Sequence, residues 1–392
     1  MSSKENQDLS SDMVDCPMQV RIAAHPWEKN EIYKLRYQVY VEEMGKPLES
    51  ILRKRKQIID AMDDRSILIY VKAGSEIAAT LRVTIASVED YPADLVDTFQ
   101  LHKFKTVHAD PSNSYFGLVT KIAAKPHYRS SPAFYLMLVE SYRLLSAQKV
   151  TFCFGGCNPS VVPLYERLGF RRFTKNFTDP GYGLLVPLVM MIQDIEHMKA
   201  IKSPIYRLAR KHPSDLSMVQ RFSETFPEVA RYHNTQLVTQ KSLWKYVESK
   251  LSPSPFTFPI FKNLDTEKII NLLLAGVIFS CAPGDCILHQ DSLCNDLYIL
   301  LSGTLVSSSN KDSHILQAGE HFGSLTFPDQ SRQTNSIFAL TECELFVLSR
   351  QSFERYQHLY QEASKTLLNN LKIAQPLSQD YLNTQQGGQN HE

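Results

Sequence analysis

The amino-acid sequence predicts an α+β protein in two parts: an N-terminal mixed sheet flanked by helices, and a C-terminal β jelly roll followed by helices. Three observations predict this. Residues 116 to 173 read strand, loop, helix, strand, helix, strand, an order that sets two central strands parallel. From Phe256 the pattern changes to short strands with frequent turn residues, the mark of a small barrel or jelly roll. Between them, residues 203–254 carry helical patterning and end on the punctuation SPSPF. The expected division is a disordered tail over 1–17, a first domain over 18–202 and a helical connector over 203–254. A second domain over 255–375 and a tail over 376–392 complete it.

Taken in order, Met18 to Ala24 reads as a first strand. Asn30 to Met44 follows as an amphipathic helix with Ile32, Leu35, Val39 and Tyr40 near one side. Ser66 to Lys72 and Ile77 to Ser87 form a hairpin across Gly74. The basic run over 51–57, ILRKRKQ, reads as a solvated loop or as a docking surface for an acidic partner. Residues 88–115 hold Pro92 and Pro111 and are expected to form a mobile insertion. Phe116 to Ala124 is a buried strand with one Lys inside it. Ser131 to Gln148 is a helix with Phe134, Leu138, Tyr142 and Leu145 at helical spacing. Val150 to Cys157 is a strand, Pro159 to Leu168 a short helix ended by Gly169, and Leu184 to Ile192 a buried strand. Thr235 to Lys250 reads as a helix, and the chain from Arg350 gives the last helices.

Composition narrows the function classes. The 392 residues carry a formal net charge of +1, so no global attraction to nucleic acid or anionic lipid is expected. Seven Cys at scattered spacings point to reduced thiols rather than a disulfide framework. Cys153 and Cys157 share one face of a predicted strand, with no His at metal-site spacing after them, so buried thiols and no metal are expected. The polar start lacks an apolar signal region, and no apolar run reaches the length of a membrane span. A cytoplasmic protein is the expectation.

The motif Asn158-Pro-Ser-Val-Val-Pro-Leu-Tyr165-Glu-Arg-Leu-Gly-Phe170 resembles the GNAT N-acetyltransferase superfamily. There the Tyr often protonates the leaving thiolate of an acyl thioester, a task suited to a phenol with a pKa of about 10. The resemblance therefore implies a general acid at Tyr165. It implies donor contacts at Arg129, Ser130, Ser131 and Asn158, although both of the usual phosphate-cradling glycines are gone from Arg129-Ser-Ser-Pro-Ala-Phe134, where Pro132 brings no N–H. Across residues 18–195 the chain resembles the N-acyl amino acid synthase and acyl-homoserine-lactone synthase branch, a bacterial group that uses long acyl thioesters. The marks are LRYQVYVEEMG, DAMDDRSILIYV, IAATLRV and LVTKIAA. The branch's early Arg and acidic residues match Arg36, Glu42 or Glu43, Asp60, Asp63 or Asp64, and Arg82. Its Glu-x-Ser-Arg appears as Leu118-Val119-Thr120-Lys121, without the Glu.

The chemistry such a site needs can be assigned to residues. A strand N–H at a β-bulge around Ile122 to Ala124 can stabilise the oxyanion of thioester attack. Arg82 and Lys121 can hold an anionic acceptor, or else are cations at a strand edge. Asp63 and Asp64 are expected in capping or loop solvation. The implied function is acyl transfer from acyl-CoA or an acyl carrier protein to an amine, an amino acid or a related acceptor. A non-catalytic sensor with both ligand sites drifted is the alternative.

In the second part, Phe261-Lys-Asn-Leu264, Pro283-Gly-Asp285, Ser302-Gly303 and Ala318-Gly-Glu-His-Phe-Gly323 resemble a cyclic-nucleotide-binding domain. That family places a Glu after Phe-Gly for the ribose and an Arg further on for the cyclic phosphate. Here the candidate pocket residues are Gly323, Ser324, Arg332, Gln333 and Thr334, with Ser324 at the Glu position and Gln333 at the Arg position. Gln has no charge to offer a phosphate, so loss of tight cyclic-nucleotide binding is expected. A one-residue slip would bring Arg332 into its place, unless the strand turns it to the other face.

Overall fold

The computed structural model describes residues 17–46, 54–108, 115–129, 131–179, 182–251, 256, 258–309, 312–323 and 332–373. They form two compact units that divide between Leu237 and Val238.

The first unit opens with β1 (Met18–Ile22) and α1 (Pro26–Tyr37), which continues as a π-helical turn over Gln38–Glu43. The hairpin of β2 (Ile67–Ala73) and β3 (Glu76–Ala86) follows. Then come α2 (Ala93–Thr98), α3 (Leu101–Val107), β4 (Phe116–Ala124), α4 (Ala133–Ala147) and β5 (Phe152–Cys157). Helix α5 (Val162–Leu168) leads to β6 (Arg171–Arg172), β7 (Phe177–Asp179) and β8 (Gly183–Met191). Three short helices close the unit: α6 (Ile195–Ala200), α7 (Tyr206–Ala209) and α8 (Leu216–Thr225).

The sheet order is β1-β2-β3-β4-β5-β8-β6, with β7 on β8. Only β4 and β5 run parallel, because α4 carries the chain back between them. Gly169 ends α5 at φ +124°, a conformation that favours Gly.

Two expectations change here. Residues 88–108 are ordered helices rather than a mobile insertion, and residues 109–114 lie outside the described part. Phe104 of α3 is fully buried, with the rings of Phe152, Phe154, Phe173, Phe222 and Phe226 at 4.6–5.9 Å. Val96 and Phe99, then Leu101, Phe104 and Val107, recur at three-residue spacing, a helical signal interrupted by the turn between the two helices. The expected connector is also divided. Met218, Phe222 and Phe226 join the first unit's core, whereas the helix expected from Thr235 begins at Gln240 in the second unit. Thr239 caps it, accepting the Ser242 N–H at 3.2 Å.

The second unit starts with α9 (Gln240–Lys250) and α10 (Thr266–Ala275). Eight strands follow: β9 (Val277–Cys281), β10 (Cys286–Leu288), β11 (Asp296–Ser302), β12 (Leu305–Ser308), β13 (Ser313–Leu316), β14 (His321–Gly323), β15 (Ser336–Ala339) and β16 (Cys343–Ser349). They make two antiparallel sheets, β10-β15-β12-β13 and β14-β11-β16-β9. Helices α11 (Arg350–Leu359) and α12 (Gln361–Ile373) end it. Leu297, Ile299 and Leu301 of β11 and Phe346 and Leu348 of β16 bury with Leu272 of α10, Phe353 of α11 and Leu367 of α12. The α+β class and the jelly-roll architecture are as the sequence predicts.

Candidate functional site

The sheet of the first unit opens between its two parallel strands. β4 and β5 pair from Phe116 opposite Phe152 to Val119 opposite Gly155, and no further. β4 continues to Ala124 on β3, and β5 continues to Cys157 on β8. A bulge in β4 marks the point of separation. Thr80 faces Ala123 but Arg82 faces Thr120, so two residues of β4, Lys121 and Ile122, oppose Leu81 alone. Lys121 takes φ +53°, and the Tyr40 hydroxyl from the π-helical turn donates to the Ile122 carbonyl. π-turns recur at functional sites.

The bulge decides where the next amide points. Lys125 N–H donates to the Ala78 carbonyl at 3.0 Å, so Ala79 and Ala124 form the intervening pair, which exchanges no hydrogen bonds. The N–H and carbonyl of Ala124 therefore turn away from β3, toward the side on which β5 has separated. The Arg129 guanidinium meets that carbonyl at 3.2 and 3.3 Å.

Tyr165 stands on α5, after β5. It is 8% exposed, its ring lies 5.4 Å edge-on from Phe170, and its hydroxyl has no hydrogen-bond partner among the described residues. Burial pushes its phenol well above the usual range, with Cys157, Tyr40 and Cys153 nearby adding to the shift, so it stays protonated at neutral pH.

Four charged side chains and a lysine lock together under β3 and β4. Arg36 Nη1 meets Asp63 Oδ1 at 2.8 Å with both side chains fully buried. Arg82 reaches Asp60, Asp63 (3.3 Å) and the Thr120 hydroxyl (3.0 Å). Lys121 lies 3.5 Å from Asp60 and 3.2 Å from the Tyr182 hydroxyl, with its ammonium 4.9 Å over the Tyr182 ring. The expectation that Asp63 serves a cap or a solvated loop is corrected. It accepts the Asp60 N–H, but it is the buried partner of two arginines that no local spacing in the sequence brings near it. Arg82 and Lys121 are likewise not loose cations at a strand edge.

Three cations meet two carboxylates in this cluster, a third carboxylate, Asp179, acts on Lys121, and Nε and Nη2 of Arg36 are buried without a hydrogen-bond partner among the described residues. Burial raises the Asp60 pKa, but Arg82 and Lys121 outweigh it and hold the carboxyl below its usual range. Burial depresses the Lys121 ammonium pKa, with Asp60 opposing and the two arginines reinforcing.

The residues expected to hold the donor are engaged within the protein. Arg129 forms a two-pronged pair with Glu43 at 2.6 Å. Ser131 accepts the Ala133 N–H at 3.2 Å and so helps start α4, while Ser130 lies outside the described residues. Asn158 donates to the Leu184 and Tyr182 carbonyls at 3.4 and 3.5 Å. Sequence reasoning placed Tyr40 only on an apolar helix side and missed Tyr182, which stands in no motif; their rings meet edge-on at 4.8 Å. Cys153 and Cys157 are buried, and burial pushes the Cys153 thiol up to about 12.

In the second unit Gly323 ends β14 at φ +80°, where an added Cβ would sit 2.2 Å from the Asp296 carbonyl oxygen. Ser324 lies outside the described residues. Arg332 is exposed and donates to the Asp291 carbonyl at 2.6 Å. Gln333 is half-buried, exchanging backbone bonds with Asp291 and Ser292, and Thr334 is exposed. Both precede β15, Arg332 forming an isolated bridge with Leu293, and the charge is on the solvent side.

Known proteins match both units. Residues 31–194 match the family model for N-acyl amino acid synthase FeeM, and residues 278–358 that for the cyclic nucleotide-binding domain. The structure of FeeM, an N-acyl amino acid synthase from uncultured soil microbes, is similar at 12% identity. It covers 50% of this chain and 99% of that one, with a TM-score of 0.39. The Thermus thermophilus catabolite activator protein is similar at 22% identity, over 33% of this chain and 62% of that one, with a TM-score of 0.28. Among curated proteins, potassium/sodium hyperpolarization-activated cyclic nucleotide-gated channel 4 of Homo sapiens is 26% identical over 106 residues. The match covers 26% of this chain and 9% of the channel. Channel 1 of Oryctolagus cuniculus is 27% identical over 107 residues, covering 26% and 12%. The chain therefore spans only about a tenth of these relatives. The first unit carries an N-acyltransferase domain of the N-acyl amino acid synthase type, and the second a domain of the cyclic nucleotide-binding type. Among the described residues no helix is long and apolar enough to cross a membrane.

Proposed function

We propose that this protein transfers an acyl group from a thioester, carried on CoA or on an acyl carrier protein, to the amine of an acceptor that bears a carboxylate. The observation that carries the reading is the opening between β4 and β5, with an outward-turned Ala124 N–H on one side and the protonated Tyr165 phenol near the other. The thioester carbonyl enters that opening. The amine, after losing a proton to water, forms a C–N bond to the carbonyl carbon. The negative charge that develops on the carbonyl oxygen meets the Ala124 N–H, a donor whose direction the bulge fixes. The C–S bond then breaks, Tyr165 gives its proton to the departing thiolate, and the phenolate takes back the surplus proton of the new amide nitrogen.

The cations Arg82 and Lys121 support a carboxylate-bearing acceptor such as an amino acid, with Lys121 the cation bordering the opening. Arg129, Ser131 and Asn158 stay assigned to the donor side, where Arg129 would exchange Glu43 for a donor phosphate.

The enzyme reading is tested by incubating the full chain with dodecanoyl-CoA, or dodecanoyl acyl carrier protein, and the twenty amino acids. Thiol release coupled to an N-acyl amino acid product is expected. Release without an amide product would sink the assignment. The C-terminal unit is proposed as a regulator of this transfer that does not depend on tight cyclic-nucleotide binding. A rate unchanged by cAMP or cGMP is the expected outcome, and a rate that saturates with micromolar nucleotide would overturn it.

A further inference from the structure

Glu166 follows Tyr165 on α5 and is 1% exposed. One carboxylate oxygen accepts from Arg172 Nε at 3.0 Å, within an ion pair that is itself buried. The other accepts twice from one residue far along the chain, from the Thr235 N–H and the Thr235 hydroxyl, both at 2.7 Å. Arg172 also donates to the His233 carbonyl, and its guanidinium lies 5.5 Å over the Tyr232 ring. Tyr232 donates to the Thr174 carbonyl at 3.0 Å, and Gln236 reaches the Pro163 carbonyl in the first turn of α5 at 3.5 Å. Residues 232–236 are thus laid along α5 and bonded to both of its ends.

A buried ion pair adds little net stability over an apolar pair of the same shape, so stability alone is a weak account of this arrangement. Fixing a geometry is a better one. α5 has seven residues, too few to hold a helix or an orientation without tertiary contacts. Its neighbours set where the Tyr165 hydroxyl points.

We propose that Glu166 is a positioning residue for Tyr165, and that residues 232–236 are the strap that holds it. The proposal rests on the proton-donor role of Tyr165 given above. The strap stops one residue before the boundary of the first unit at Leu237.

Thr235→Val in the full chain tests this, since it removes one donor to Glu166 and, within the strap, the acceptor of Gln236 Nε2, and keeps the backbone donor, the Arg172 pair and the side-chain shape. Loss of one hydrogen bond to a buried carboxylate should lower kcat about tenfold. KM for dodecanoyl-CoA should be unchanged, and Thr235→Ser should restore the rate. Added to Tyr165→Phe, Thr235→Val should slow turnover no further. Hydrogen exchange over residues 162–169 should quicken in Thr235→Val, which is read without substrate. Equal slowing in the Tyr165→Phe background, or unaltered exchange over 162–169, overturns the strap while leaving Tyr165 its role. A Tyr165→Phe enzyme as fast as wild type removes the role itself, and the positioning role of Glu166 with it.

Discussion

The charged groups of the first unit are built into its interior, whereas those of the second unit's pocket stand apart from its core. Arg36, Asp63 and Arg82 are buried and interlocked where β3 and β4 meet. In the jelly roll, Gln333 occupies the place expected of a phosphate-binding arginine, and Arg332 beside it is exposed and turned to a backbone carbonyl. The core of that unit is nevertheless full, with Leu297, Ile299, Phe346 and Leu348 buried. The difference teaches what holds a charged residue in place. Removing one partner of a buried ion pair leaves an uncompensated charge in a low-dielectric interior, so the fold itself resists the change. A pocket-wall arginine is bound only to its ligand, and its loss costs the fold almost nothing.

The sharpest way to break this comparison is Asp63→Ala. It strands Arg36, whose other donors already lack partners, and should destabilise the first unit by about 3–5 kcal/mol in denaturant unfolding. A loss well below 1 kcal/mol would mean that the cluster is not part of the fold. Next is Tyr165→Phe, which should cut turnover about a hundredfold or more while thioester affinity and melting temperature hold. Smaller again is Gln333→Arg, which returns a guanidinium to the jelly roll. By isothermal titration it should tighten cAMP binding about tenfold with no change in stability. Wild-type binding already at micromolar levels would show that Arg332 does what Gln333 cannot.

The smallest effect is acid stability. The Asp60 carboxyl is held below its usual range in the folded protein, so its contribution is complete above the unfolded aspartate value of about 3.9. That contribution disappears as pH falls through the lower folded value. Asp60 is 39% exposed, so the amount is well under 1 kcal/mol after solvent screening. Asp60→Asn should flatten the acid limb of a pH-melting curve by that amount.

Much of the sheet was legible because buried strands leave an apolar run and turns leave Gly. The helix end at Gly169, the hairpin of β2 and β3 and the strand β4 all stand where the sequence places them. The helices over 93–107 were not legible, since Pro92 and the left-handed turn at Gln100 break a short pattern into fragments below helix length. The bulge was expected near Ile122 to Ala124, yet its exact place came from a lysine at positive φ, an uncommon conformation for that residue. The end of the strap, Thr235 and Gln236, read as the start of a helix. Thr235 instead gives its backbone and hydroxyl donors to Glu166, a partner 69 residues away.

The sequence by itself determined two folded parts and the α+β class. These follow from periodicity, composition and residue chemistry, which are local properties. Only the tertiary structure decided that Asp63 is buried between two arginines, that Ala124 turns its amide into the strand opening, and that Glu166 is tied to residues 232–236. Each depends on groups distant in sequence meeting at hydrogen-bonding range. Burial then sets how strongly they interact, and no local pattern encodes either distance or burial.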